Sequence, residues 1–307
     1  MIQKRKEYSG IIIPVVTPFD DDGKIDTPAI ERIIENFITN DCETLLFGTT
    51  GETASIPQSA KTKVVETLKK HTDQHRIYVA ISDNCFDDAV TAANRYYDSG
   101  VEAVVVLLPG YYPITRDQML NYYERFVDAI HGKMFIYNIP ATTHMSIPLE
   151  VIEKLSYHER IVGLKDSERD YARLEESIDL WSHRKDFSYF IGWGAQSLSG
   201  LRSGVDGIVP STGNFYAPVY KDMYQAVIEN NKENGERCQD ISMEIANVYQ
   251  KNKILGQSLP ALKIMMNEAG LCGKKVLLPF TELPENEEMV IHQQTRHLID
   301  KYNLTWI

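Results

Sequence analysis

The chain has 307 residues, 43% of them hydrophobic, with a formal net charge of −11 at pH 7 and an isoelectric point near 5.3. That length and apolar content suffice for a large buried core, and the negative surface repels polyanions, so neither nucleic acid nor a membrane is an expected partner. The basic opening MIQKRKEYSG is not followed by a signal-peptide apolar stretch, no apolar run reaches the roughly 18 residues of a membrane span, and Cys42, Cys85, Cys238 and Cys272 form no C-x-x-C pair. These features predict a chain with free thiols in a reducing, cytoplasmic compartment.

In chain order, short apolar, β-branched runs alternate with longer amphipathic stretches. Strands are predicted over residues 11–19, 43–49, 76–82, 103–109, 134–139, 161–166, 188–192 and 207–211. Each is nearly continuous in hydrophobicity, as expected of strands covered on both faces of a parallel sheet. The first helix opens at Asp26-Thr27-Pro28, a capping residue followed by an early proline, and repeats apolar residues at Ile30, Ile33, Ile34, Phe37 and Ile38. Further helices are predicted over 58–71, 86–99, 115–131, 148–155, 171–181 and 196–202. Eight successive βα units predict a (β/α)8 TIM barrel. An open doubly wound sheet is the competing architecture, but the stretch after the first strand reads PVVTPFDDDG and lacks the G-x-G-x-x-G turn usual there. Helices over 216–229, 234–255, 259–269 and 285–302 exceed what one closing helix requires. The expected organisation is a catalytic barrel over 1–230 and a helical extension over 231–307, packed on the barrel and able to help form an oligomer.

Barrels of this kind place their chemistry at the C-terminal ends of the strands. There the sixth strand presents Lys165 directly after the apolar Ile161-Val162-Gly163-Leu164. Lysine is rare in such a setting. Burial disfavours an ammonium ion and makes a free amine available. Such an amine attacks a ketone to give a Schiff base, and the iminium then accepts electrons from the adjacent carbon. The structural alternative is a strand-end lysine paired with Asp166 or Glu168. Tyr137 ends the neighbouring strand, about 4.8 Å away, where a phenol could relay protons; a plain rim tyrosine is the alternative. Gly48-Thr49-Thr50-Gly51 follows the second strand. Its glycines permit close backbone approach, and its N–H groups and hydroxyls suit a carboxylate. A βα turn without a ligand is the alternative. Among the eight histidines no pair has metal-site spacing beside a carboxylate at a strand end; His71 and His75, four apart, end a helix on the opposite side of the barrel. A metal-independent mechanism without a cofactor is expected.

At these residues the sequence resembles the dihydrodipicolinate synthase and N-acetylneuraminate lyase family. The resemblance runs from Gly10 to the C-terminal helices. It is carried by Tyr137-Asn138-Ile139-Pro140, by Ile161 to Ser167 with Lys165 at its centre, and by Gly48-Thr49-Thr50-Gly51-Glu52. It implies that Lys165 forms a Schiff base with pyruvate, that Tyr137 donates and accepts protons and that Thr49 joins the proton relay. Thr50, with the backbone around Gly48 and Gly51, would bind the carboxylate. Tyr111, with Tyr112 as the alternative, matches a position that reaches a neighbouring subunit's site in the synthases. Ser167, Val209, Thr143 and His144 complete the candidate substrate-binding set. A homotetramer or homodimer is implied.

Two departures bear on substrate. Thr142 stands where the synthases carry an arginine for their second substrate, and His144 stands where a glycine is usual. Gly192-Trp193-Gly194-Ala195-Gln196 also lacks the acidic residues with which sialic acid lyases hold a polyol. The segments at Lys165 and Ser211 resemble the 2-keto-3-deoxy sugar acid aldolases more closely. The expected activity is cleavage or formation of a 4-hydroxy-2-oxo acid with pyruvate as one partner. A dihydrodipicolinate synthase, a 2-oxo acid dehydratase using the same lysine, and a non-catalytic 2-oxo acid-binding barrel are the alternatives.

Overall fold

The computed structural model describes residues 6–306; residues 1–5 of the basic opening stretch lie outside the described residues. Eight parallel strands close into a barrel in sequence order: β1 Gly10–Pro14, β2 Glu43–Leu46, β3 Ile77–Ile81, β4 Ala103–Leu107, β5 Lys133–Asn138, β6 Ile161–Asp166, β7 Ser188–Ile191 and β8 Gly207–Ile208. Every residue of β3, β4 and β6 is buried, which explains why these runs carry no polar alternation. All eight predicted strands are present, but most end earlier than their apolar runs. In the run over 11–19 the strand ends at Pro14, the Val15 amide still donates to Leu45 O at 3.0 Å, and Phe19 makes an isolated bridge to Ile25. The run over 43–49 stops at Leu46 because Phe47 turns into the left-handed region, with φ 52°.

Helices follow the strands: α1 Thr27–Thr39, α2 Gln58–Leu68, α3 Phe86–Asp98, α4 Arg116–Ala129, α5 Pro140–Thr143, α6 Leu149–Leu155, α7 Tyr171–Trp181, α8 Ser197–Ser203, α9 Pro218–Ile228, α10 Lys232–Gln250, α11 Leu255–Glu268 and α12 Glu285–Tyr302. Several starts are written in the sequence. Asp26 Oδ1 accepts from the Ala29 amide at 3.0 Å, and Thr115 and Gln118 form a reciprocal capping box. The helix expected over 234–255 instead ends at Gln250, and α11 begins at Leu255. Lys251 has an extended ψ of 121° and Asn252 sits at φ 59°, so the chain turns where periodicity alone predicted continuity.

Two compact units partition the described residues, one of residues 6–12 and 65–210, the other of residues 13–64 and 211–306. Within the first, Tyr8, Tyr78, Phe135 and Phe190 pack edge to face, with centroid separations of 5.3 Å for Tyr8–Phe135 and 5.8 Å for Phe135–Phe190. Such pairs add about 0.5–1.5 kcal/mol beyond their area burial. In the second unit, α11 is buried continuously from Ser258 to Met266.

Candidate active site

In the first unit, β5 and β6 run side by side with Tyr137 opposite Lys165 and Asn138 opposite Asp166. Successive strand residues face opposite ways, so Lys165 and Tyr137 share one face while Asn138 and Asp166 share the other. Lys165 is 5% exposed and Tyr137 3% exposed. The Lys165 Nζ lies 3.7 Å from the centroid of the Tyr137 ring. Among the described residues it makes neither a hydrogen bond nor an ion pair.

The reason lies on the opposite face. Arg173, on the first turn of α7, donates from Nε to Asp166 Oδ2 at 2.6 Å and stands 3.4 Å from Glu168 Oε2. Asn138 Nδ2 donates to Asp166 Oδ1 and to Glu168 Oε2, each at 2.9 Å, and the Glu168 amide donates to Asp166 Oδ1 at 2.9 Å. Burial raises the Asp166 carboxyl above its ordinary value, while Arg173, the Glu168 amide and Asn138 pull it back. Both carboxylates that could have neutralised Lys165 are therefore committed to an arginine.

The ladder continues past the strand ends. The Ser167 amide donates to Asn138 O at 2.9 Å, Gly192 to Asp166 O at 2.6 Å and Val209 to Ile191 O at 2.8 Å. A Cβ at Gly192 would overlap the Ser167 hydroxyl, so only glycine leaves that hydroxyl its place. In the loop after β5, Thr143 is buried and donates to Ile139 O and Met145 O, both at 3.1 Å. His144 is exposed in the left-handed conformation that ends α5, with φ 59°. The half-exposed Thr142 donates to Ile139 O at 3.4 Å. Asn138 Oδ1 accepts from the Ile147 amide, and Ser146 Oγ donates to Glu168 Oε2 at 2.6 Å, so this loop is tied to the same polar web. Tyr111 and Tyr112 are 74% and 71% exposed and meet edge to face at 4.8 Å.

In the second unit, Gly48 leads into a single 3-10 turn over Thr49–Gly51. Left-handed residues bracket it, Phe47 at φ 52° and Glu52 at φ 57°. Such conformations cost on the order of 1–3 kcal/mol each in a residue with a side chain. Gly51 is pinned by the Thr17 hydroxyl, which donates to its carbonyl at 2.7 Å. Thr49 and Thr50 are half-exposed, and their hydroxyls make no hydrogen bond among the described residues. Their amides head the turn and so have no acceptor inside it. Glu52 is buried and forms an ion pair with Lys263 of α11, while its Oε2 accepts from the Leu277 amide at 3.1 Å.

Lys165, Tyr137, Ser167, Val209, Thr143, His144 and Tyr111 thus all lie in the first unit, and Gly48, Thr49, Thr50 and Gly51 in the second. Asn138 and Glu52 stand in the motifs that carry the family resemblance but have no role assigned from sequence, and Arg173 and Lys263 stand outside them. Lys263 could have been found by the criterion that found Lys165, since it interrupts the apolar stretch LPALKIMM. Arg173 carries no such mark, because its helix face is polar in sequence. Among the described residues no three His, Cys, Asp or Glu side chains gather into a metal-binding group.

A closed (β/α)8 barrel here holds, near the C-terminal end of its sixth strand, a buried lysine beside a tyrosine and without an ion-pair partner among the described residues, an arrangement compatible with a barrel lyase of the Schiff-base class. The sequence model of the dihydrodipicolinate synthetase family matches residues 7–298, and the chain belongs to that family. It is a carbon–carbon lyase of the class I, pyruvate-dependent kind. The chain is 26% identical over 298 residues to the 4-hydroxy-tetrahydrodipicolinate synthase of Chlorobium phaeobacteroides strain BS1, covering 96% of this chain and 98% of that one. It superposes on the dihydrodipicolinate synthase of Bacteroides thetaiotaomicron with a TM-score of 0.89 at 25% identity, covering 96% of this chain and all of the other. The fold is shared with YagE, an Escherichia coli K12 prophage protein of the same family solved in complex with pyruvate. That match has a TM-score of 0.88 at 20% identity, over 95% of this chain and 99% of that one.

Proposed function

We propose that this protein cleaves or forms a 4-hydroxy-2-oxo acid of the 2-keto-3-deoxy sugar acid type, with Lys165 as its nucleophile. One observation carries the choice of nucleophile: the Lys165 amine is buried against Tyr137 without a counter-ion among the described residues. Nζ attacks C2 of the 2-oxo acid and water leaves, giving an iminium. The C4 hydroxyl yields its proton to Tyr137, with Thr49 extending the relay. The C3–C4 bond then breaks, its electron pair flows to the iminium, and the aldehyde departs. Protonation at C3 and hydrolysis return pyruvate and the free amine. Thr50 and the backbone of Gly48 and Gly51 hold the substrate carboxylate. Ser167, Val209, Thr143, His144 and Tyr111 contact the rest of the substrate.

The names of the curated relatives favour a second reading, condensation of pyruvate with aspartate semialdehyde. Thr142 argues against it, because a neutral residue there lacks the cation expected for a second carboxylate. Borohydride reduction with pyruvate, followed by peptide mass mapping, tests the nucleophile; the adduct is expected on Lys165. An aldehyde panel tests the substrate, and faster turnover of aspartate semialdehyde than of any sugar-derived aldehyde would reverse the preference.

No described helix is long and apolar enough to cross a membrane. We further read the protein as a cytoplasmic homotetramer or homodimer, with residues 231–307 as a helical extension of a 1–230 barrel. Sedimentation of the purified chain tests the assembly.

A further inference from the structure

The Thr49–Gly51 turn lies between two left-handed residues, a conformation that persists only where the surroundings impose it. On the Glu52 side, the structure shows what does so. Glu52 is 3% exposed and is the residue that ends the turn, its amide donating to Thr49 O at 3.2 Å. One carboxylate oxygen meets Lys263 Nζ and the other accepts from the Leu277 amide at 3.1 Å. Lys263 is itself fixed. It is 0% exposed, donates to Lys275 O at 2.8 Å and lies 4.2 Å from the centre of the Phe19 ring. The Glu52 side chain is thus held from α11 and from the segment after it, both far along the chain. An apolar pair would fill the same volume, but it would not orient the backbone at residue 52.

We propose that Lys263 is a positioning residue: through Glu52 it holds the Gly48–Gly51 turn in the shape that binds the 2-oxo acid carboxylate. This role presupposes the carboxylate site proposed above. Lys263 touches no substrate, and its loss weakens 2-oxo acid binding without removing the nucleophile.

The test compares wild type with Lys263→Met and with the neutral double variant Glu52→Met/Lys263→Met, in which no buried charge is left unpaired. At temperatures where each is folded, KM for pyruvate is expected to rise about tenfold or more while kcat falls less than about threefold. Ile245→Ala, a core truncation in α10, is the control that lowers the melting midpoint and leaves KM unchanged. If KM of the folded double variant stays within about twofold of wild type, the pair is merely structural and the proposal is wrong. If neither variant folds, native-state hydrogen exchange on wild type decides. The Glu52 and Leu277 amides are expected to open together with one free energy, and independent opening overturns the coupling. Borohydride trapping of pyruvate separates the two layers. No adduct on wild-type Lys165 means that the proposed chemistry fails. An adduct on wild type, with unchanged KM in the variants, means that the positioning role fails.

Discussion

Each of the two units buries a carboxylate beside a cation, and the two do opposite things with it. In the first unit Asp166 and Glu168 engage Arg173 and Asn138, and the lysine one residue away has no ion-pair partner among the described residues. In the second, Glu52 engages Lys263 directly, and the lysine is fully spent. The difference begins with local geometry. Lys165 and Asp166 are consecutive on a strand and point to opposite faces, so they cannot neutralise each other. Glu52 sits in a turn, free to aim its side chain at α11. Whether a buried lysine keeps its amine free or spends it in an ion pair thus depends on whether a carboxylate shares its side of the backbone.

Removing the free amine strikes the comparison hardest. Lys165→Ala is expected to lower kcat/KM on the order of 10⁴-fold while the melting midpoint changes little; steady-state kinetics and calorimetry check both. Arg173→Met attacks the web that keeps the amine free. It leaves the buried Asp166 carboxylate without its cation, so denaturant unfolding should show a loss of about 3–5 kcal/mol. A variant of unchanged stability would mean that the web is not what holds Asp166. Tyr137→Phe keeps the ring against Nζ and removes only the hydroxyl; kcat is expected to fall about 10²–10³-fold with the fold intact.

Two smaller effects show that burial, not charge alone, sets these sizes. His75 is 8% exposed, and burial, with His71 adding repulsion, lowers its pKa from 6.5 to about 4. Its folded pKa lies below the unfolded one, so between pH 6.5 and about 4 the unfolded chain binds more protons and stability falls with falling pH. The loss should reach up to about 3 kcal/mol near pH 4 and disappear in His75→Gln, as measured by denaturant midpoints across pH. Arg95 and Glu66 form an exposed pair at 2.8 Å. Arg95→Ala should cost less than about 1 kcal/mol, and less still in high salt.

The barrel was legible because its strands are buried on both faces and so appear as uninterrupted apolar runs. Their ends were less so. Phe47 is as apolar as the strand it follows, and only its left-handed backbone removes it from the ladder. The break between α10 and α11 was expected after residue 255 but falls after Gln250, because Lys251 and Asn252 are not a strong breaker pair in sequence. Lys165 and Tyr137 were legible because polar groups at the end of an apolar run stand out. The roles of Arg173 and Asn138 were not, because they come from pairing that sequence does not display: Asn138 Nδ2 reaches 28 residues along the chain to Asp166. The sequence alternative that paired Lys165 with Asp166 or Glu168 overlooked that an arginine seven residues past Asp166 returns to the same strand face.

The close fit of Gly192 against Ser167 has a bearing on redesign. Libraries built to alter the aldehyde partner would naturally vary positions 167 and 192 one at a time, yet any side chain at 192 displaces the neighbouring hydroxyl. The two are one variable. Gly192→Ala should be better tolerated in a Ser167→Gly background than alone, so new selectivity at this rim is best sought in paired exchanges that pass volume from one strand end to the next.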